Sequence, residues 1–154
     1  MDALFFFRHS DYGDVELRYA LRGIAQHAPW IRKVWIFGDK PVFLSDDTSL
    51  IEHVPHEYAA RVGKYRTPVT NFFLMFWLAY HIPDLASEFL WFCDDFILID
   101  DLSPEMARKD RYIENMDEVT HRGSGVWKES LWRTYDFLKV LGYPGYNFAD
   151  SNGI

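Results

Sequence analysis

The chain has 154 residues, with 16 Lys+Arg against 23 Asp+Glu and a formal net charge of −7. An acidic balance of this size excludes a protein that depends on phosphate contacts with nucleic acid, and it excludes a polybasic membrane anchor. Hydrophobic residues make up 49% and charged residues 25%, a globular composition, and the single cysteine, Cys93, allows neither an intrachain disulfide nor a Cys-rich zinc site.

Met1-Asp2-Ala3-Leu4 has no basic n-region and no small-residue cleavage site, so a secretory signal is not expected and a reducing, cytoplasmic setting is. Ala3 to Phe7 is an apolar run bounded by charge and predicts a buried strand. His9 to Asp14 has loop composition. Asp14 then stands as the N-cap of a helix with the apolar stripe Leu17, Ala20, Leu21, Ile24 and Ala25, closed by Pro29. Val34 to Phe37 predicts a second strand and Leu50 to Val54 a third. Thr67-Pro68 is a helix-start signature, with Thr as cap and Pro at the first helical position, and that helix runs to about His81. Its body, Phe72 to Tyr80, is apolar all round, which predicts burial between layers. At nine residues this longest apolar run is too short to cross a bilayer, so no transmembrane segment is expected. Phe89 to Phe92 predicts another strand, followed by the short apolar piece Ile97 to Ile99. Residues 103–125 are polar and show no period. Lys128 to Leu141 predicts a last helix with Leu131, Tyr135, Leu138 and Leu141 on one side and Gly142 just past its end. The alternation of strands and helices, with no repeat or linker, predicts one α/β domain over 1–154, its mostly parallel sheet flanked by helices.

The charge is uneven. Residues 94–118 hold nine acidic and three basic side chains. That segment opens with Asp94-Asp95, directly after the apolar run that ends in Cys93. Ligands of open α/β sheets bind outside the carboxyl ends of strands. Paired carboxylates there suit Mg²⁺ or Mn²⁺, hard cations that take oxygen ligands and bridge to diphosphates. A solvated turn explains the same pair. Asp100-Asp101 reads as a turn, and Glu105, Asp110, Glu114, Asp117 and Glu118 as a solvated face. Arg18 and Arg22 are four apart and share a helix face. Two guanidinium groups near the end of the first strand can grip a diphosphate, or simply face solvent beside Glu16. Lys64 and Arg66, upstream of Thr67-Pro68 and Asn71, form either an anion site at a helix start or plain capping. The six histidines show no metal-motif spacing, and His9, just after the first strand, alone has a location worth noting. Serine-hydrolase and P-loop patterns are absent. Trp127 and Trp132 fit core packing or stacking on a sugar ring.

Glu16 to Ile24, E-L-R-Y-A-L-R-G-I, followed by His27 to Val34, H-A-P-W-I-R-K-V, resembles the second conserved region of the Stealth family, which reads E-L-R-Y-S-L-R-S-I and H-A-P-W-I-R there. Pro83 to Asp95, P-D-L-A-S-E-F-L-W-F-C-D-D, resembles the close of that region, and Pro68 falls at the Pro of its L-P-T-F segment. The likeness covers about residues 3–99. Cys93 stands where the family has Asn, and Leu74-Met75-Phe76 where it has Ala-Ile-Glu. Phe5 to Asp11 is a loose match to the family's first region. Asn147-Phe148 is followed by Ala149 to Asn152 rather than by the family's histidine-bearing segment.

The family comprises capsular-polysaccharide phosphotransferases and related GlcNAc-1-phosphotransferases. The resemblance therefore implies a GT-A-like nucleotide-sugar fold, a UDP-sugar donor and a glycan or polysaccharide acceptor. It implies Mg²⁺ or Mn²⁺ held by Asp94 and Asp95, the expected catalytic pair. The expected donor-binding residues are Arg8, His9, Asp11, Glu16, Arg18, Arg22, Arg66 and Asn71, with Asp11 or His9 as candidates for the base. In phosphotransfer a hydroxyl attacks the phosphorus that bears the sugar and UMP leaves. The alternatives are a glycosyltransferase that forms a glycosidic bond and releases UDP, and a non-catalytic module that binds a nucleotide sugar or a partner. Beside the family pattern, 154 residues suffice for the nucleotide-sugar half of the site.

Overall fold

The structure, a computed structural model, describes residues 1–45, 49–109 and 114–147. Asp110 of the expected solvated face and the segment from Phe148 on lie outside the described residues. The chain divides into two compact units, Met1–Ala107 and a second from Arg108 onward.

In the first unit the elements run β1 (Asp2–Phe7), α1 (Val15–His27), β2 (Val34–Gly38), β3 (Ile51–Pro55), α2 (Glu57–Gly63), α3 (Phe72–Ala79) and β4 (Phe89–Phe92). A short α4 (Pro104–Arg108) closes at the division. The strands pair in the order β3-β2-β1-β4, all parallel. Every residue of β1 and β2 is buried, as a parallel sheet covered on both faces requires. Successive side chains take opposite faces. Leu4 and Phe6 pack with Trp35, Phe37 and Val54 against Ala59 of α2 and Met75, Leu78 and Ala79 of α3. Ala3, Phe5 and Phe7 pack with Ile36 and Phe92 against Leu17, Ala20 and Ile24 of α1. Fully burying one such phenylalanine contributes about 1.5–3 kcal/mol. The expected α/β fold, a mostly parallel sheet with flanking helices, is present and consistent with a GT-A-like architecture.

Several local expectations are corrected. Thr67-Pro68 does not start α3. It joins through a cis peptide in the preceding loop, and Asn71 caps the helix by accepting the Leu74 N–H at 3.0 Å. A helix starts where a side-chain oxygen meets an orphan amide, and only Asn71 is so placed. Nor is α3 buried between layers. Met75, Leu78 and Ala79 face the core, while Phe73 is 86% and Trp77 47% exposed. In this unit α3 is an outer layer over one sheet face, so an all-apolar helix leaves Phe72, Phe73 and Trp77 exposed. Asp14 occupies the N-cap position of α1, but at φ 61° its side chain makes no cap bond and is used elsewhere. The seven-residue α2 was not foreseen, because it buries only Ala59 and so carries no apolar stripe.

In the second unit β5 (Glu114–Asn115) pairs antiparallel with β6 (Tyr146–Asn147), and α5 (Val126–Val140) is the long helix. Its buried residue is Trp132, whose indole N–H donates to the Arg122 carbonyl at 2.8 Å. The expected stripe is offset from this: Leu138 and Leu141 are exposed, as is Trp127. Gly142, at φ 83°, ends the helix as expected, and the Tyr143 N–H returns to the Leu138 carbonyl at 3.0 Å. Among the described residues no helix is long and apolar enough to cross a membrane.

Candidate functional site

Four parallel strands bring four carboxyl ends to one side. The strand order turns back at β1, with β2 and β3 to one side and β4 to the other. The crevice beside β1 is therefore the topological switch point, where open α/β sheets bind ligands. Arg8 and His9 leave β1 there, Asp39 leaves β2, His56 follows β3, and Cys93, Asp94 and Asp95 follow β4.

A cavity of about 300 Å³ opens at this end, lined by Phe6, Phe7, Arg8, Asp39, His56 and Phe72 among others. Asp39 Oδ2 accepts the His9 backbone N–H at 3.0 Å, and its Oδ1 lies 3.6 Å from His56 Nε2. The Val69 N–H donates to His56 Nδ1 at 3.2 Å, so the ring proton of a neutral His56 sits on Nε2, toward Asp39. Asp39 and His56 were missed in the sequence. Their only signal is position: each is the first side chain able to ionise after a strand, in Phe37-Gly38-Asp39 and Val54-Pro55-His56.

Asp94 and Asp95 lie in a turn beyond β4, where the Phe96 N–H returns to the Cys93 carbonyl at 3.1 Å. Burial pushes the Asp94 carboxyl above its usual range. The charges of Asp95 and Glu16 add to that, and backbone N–H bonds at the turn offset only part of it. Glu16 comes from the first turn of α1 and is near enough for its charge to act on Asp94. The reason is visible further along. A Cβ on Gly23 would stand 2.8 Å from the Leu98 carbonyl oxygen, so only glycine lets the 96–99 backbone lie this close to α1. The Leu102 N–H then donates to the His27 carbonyl at 2.9 Å, and the Trp30 indole N–H to the Leu102 carbonyl at 2.5 Å. The segment 94–102 runs alongside α1 in the same direction, past Glu16, Gly23 and His27 in turn.

A second knot joins this one. Glu16 Oε2 accepts the Ser10 hydroxyl at 3.1 Å. The buried Asp14 accepts the Ser10 N–H at 3.2 Å, the Val42 N–H at 3.0 Å and a bond from His9 Nδ1 at 2.9 Å. Burial alone pushes the Asp14 carboxyl up, but these bonds outweigh it and hold the group below its usual range.

The other expected residues are placed as follows. Arg8 lines the cavity. Asp11 is exposed on the loop after β1, and Arg66 on the loop before α3. Arg18 and Arg22 lie on the exposed side of α1, Arg18 over the Phe43 ring at 4.8 Å and Arg22 over Tyr19 at 5.7 Å. Asn71 Oδ1 serves the cap of α3. Among the described residues no group of three or more His, Cys, Asp or Glu side chains is gathered tightly enough to hold a metal ion alone. Mg²⁺ keeps several waters and is usually bound through one or two carboxylates plus substrate phosphates. A pair of carboxylates with a third nearby, all oxygen donors, fits that mode.

Residues 8–116 match the second conserved region of Stealth proteins. The chain belongs to the Stealth family. An exopolysaccharide phosphotransferase of Streptomyces coelicolor is 32% identical over 92 residues, covering 58% of this chain and 16% of the relative. A capsular polysaccharide phosphotransferase of Aeromonas hydrophila is 33% identical over 84 residues, covering 52% and 22%. The human N-acetylglucosamine-1-phosphotransferase subunits alpha/beta are 29% identical over 96 residues, covering 58% and 7%. The chain thus spans less than a quarter of the length of each of these curated relatives.

Proposed function

We propose that this Stealth chain binds a UDP-sugar at the carboxyl end of its sheet, with Mg²⁺ or Mn²⁺, and serves the transfer of a sugar 1-phosphate to a glycan hydroxyl. The observation that carries the reading is the Asp94-Asp95 pair after β4, within reach of the Glu16 charge, inside the region shared with relatives named phosphotransferases. Neighbouring carboxylates of like charge, one of them partly buried, favour a cation among them. Asp94 and Asp95 would hold the metal, which when bound supplies charge neutralisation for the diphosphate. Arg8 offers a guanidinium to phosphate oxygens from the cavity wall. The phenylalanine rings of the cavity suit the flat face of a base, and Asp39 suits an N–H on its edge. A volume of about 300 Å³ fits the nucleoside end of the donor and leaves the sugar outside, toward the acceptor. In the transfer, a bond forms from the acceptor oxygen to the phosphorus that bears the sugar, and the bond from that phosphorus to UMP breaks.

Titration of UDP-GlcNAc with and without Mn²⁺ tests this. Binding should tighten at least tenfold with metal, and Asp94→Ala with Asp95→Ala should abolish the difference. Release of UMP marks phosphotransfer, and release of UDP marks glycosyl transfer. Metal-dependent binding with neither product favours a donor-binding module. Binding that ignores both the metal and the Asp pair sinks the proposal.

A further inference from the structure

His9 is held as no other described histidine is. Its Nδ1 lies 2.9 Å from Asp14 Oδ2 and 3.2 Å from Oδ1, and Asp14 is 1% exposed. An ionised carboxylate only accepts hydrogen bonds, so His9 Nδ1 must carry the ring proton. The neutral ring then has a bare Nε2 with its lone pair free. Phe7 braces the ring edge-on, with centroids 5.8 Å apart, and the backbone N–H of His9 is tied to Asp39. Yet the side chain is 46% exposed. A fixed imidazole thus presents Nε2 to solvent at the end of β1, the strand at the switch point. Hydrogen bonds through Asp14 and Ser10 link it to Glu16, whose charge acts on Asp94.

The other histidines lack this combination. Both ring nitrogens of His56 are engaged, by the Val69 N–H and Asp39. His53 Nε2 is bonded to the Gly38 carbonyl. His27 also faces an aspartate, but Asp101 is 87% exposed and the pair lies at the C-terminal end of α1.

We propose that His9 Nε2 is the general base that takes the proton of the attacking hydroxyl, with Asp14 as its positioning residue. This rests on the donor reading above. The hydroxyl O–H bond breaks and its proton passes to Nε2. The oxygen bonds to the phosphorus that carries the sugar, the bond from phosphorus to UMP breaks, and UMP leaves with that electron pair. His9 then returns the proton to solvent. Asp14 keeps the tautomer and offsets the charge of the protonated ring, as a buried carboxylate does in hydrolytic triads. Water is the simplest hydroxyl, so without an acceptor the step gives sugar 1-phosphate and UMP.

His9→Asn separates this role from a structural one. An asparagine amide can still donate to Asp14 from near the Nδ1 position, but it has nothing at Nε2. The full 154-residue chain is assayed with UDP-GlcNAc and Mn²⁺, donor affinity by calorimetry and UMP release with water as acceptor. The expected result is affinity within twofold of the wild type, UMP release down about 100-fold, and at least tenfold recovery with added imidazole. Unchanged release in His9→Asn, or a loss that imidazole does not restore, overturns the base role. So does ¹⁵N NMR of the unliganded protein if it finds the neutral ring protonated at Nε2, a readout that needs no substrate. A wild type that fails to bind UDP-GlcNAc overturns the donor reading and the base with it. Binding without UMP release in the wild type removes the base alone.

Discussion

Asp2 and Asp94 stand at opposite ends of adjacent parallel strands, and their surroundings act on them in opposite directions. Asp2, fully buried at the start of β1, accepts Arg32 Nε at 2.9 Å and Nη2 at 2.7 Å, Trp35 Nε1 at 2.8 Å and the Ala86 N–H at 3.0 Å. Burial alone would raise its carboxyl, but the Arg32 pair and the two N–H groups outweigh that and hold it below the usual range. Asp94, beyond β4, is raised, first by burial and then by Asp95 and Glu16. At the amino end of the sheet Asp2 has Arg32 as its opposite and Lys33 has Glu52. The carboxyl end retains like charges in proximity. Perturbation of that second kind, at the carboxyl end of the sheet, is what the proposed donor site rests on.

The contrast breaks most visibly at Asp2. Asp2→Ala strands Arg32 and the buried indole N–H of Trp35, and should cost about 3 kcal/mol of stability in a urea titration. The pH dependence has a definite sign. The folded-state value of Asp2 lies below the unfolded one, so its contribution is fully present above about pH 4 and is lost as pH falls through the folded value. The acid limb of the wild-type stability curve should therefore be steeper than that of Asp2→Asn.

Gly23→Val tests how the carboxyl end is assembled. The new side chain meets the Leu98 backbone, which has no easy retreat. A loss of about 2 kcal/mol is expected, together with weaker metal-dependent donor binding. Normal binding in a stable Gly23→Val protein would show that the acidic turn does not depend on α1.

Asn71→Ala asks whether that residue belongs to the site or to the scaffold. Loss of the cap should cost about 1 kcal/mol in thermal unfolding, with UDP-GlcNAc affinity unchanged. A fall in affinity without a fall in stability would return Asn71 to the donor site.

Asp94→Asn should produce the smallest change, and in the opposite direction. A raised carboxyl favours its protonated form in the fold, so its favourable contribution is present below about pH 4 and is lost as pH rises through the folded value. At pH 7 the charge is a liability, and Asn should stabilise by roughly 0.5 kcal/mol while metal-dependent donor binding disappears. Equal stability at pH 7 and pH 4 would place Asp94 in the same class as Asp2.

Much of the frame is legible in the residues. Ala3 to Phe7, Val34 to Phe37 and Phe89 to Phe92 are short apolar runs, and strands covered on both faces must read that way. The stripe from Leu17 to Ile24 marks α1 and its buried face. The errors lie where one local signal competes with another. Thr67-Pro68 has the composition of a helix start, but the side chain that meets the orphan amide is Asn71. Asp14 stands where a cap belongs, but the His9 ring and two loop amides claim its oxygens. The apolar run at Phe72 predicts a central helix because composition does not reveal how many layers a unit has. The site is less legible than the frame. Asp94-Asp95 announces itself as a pair, whereas Asp39 and His56 are single residues, seventeen positions apart, that only the strand order brings to one cavity.

The glycine contact between α1 and the segment after β4 bears on how this region can be exchanged among relatives. The acidic turn is not a detachable cassette. Its path is ruled by the helix beside it, from Glu16 past Gly23 to His27. A chimera that imports the turn from a relative with serine at the Gly23 position must import the helix as well, and its donor must be chosen for the pair.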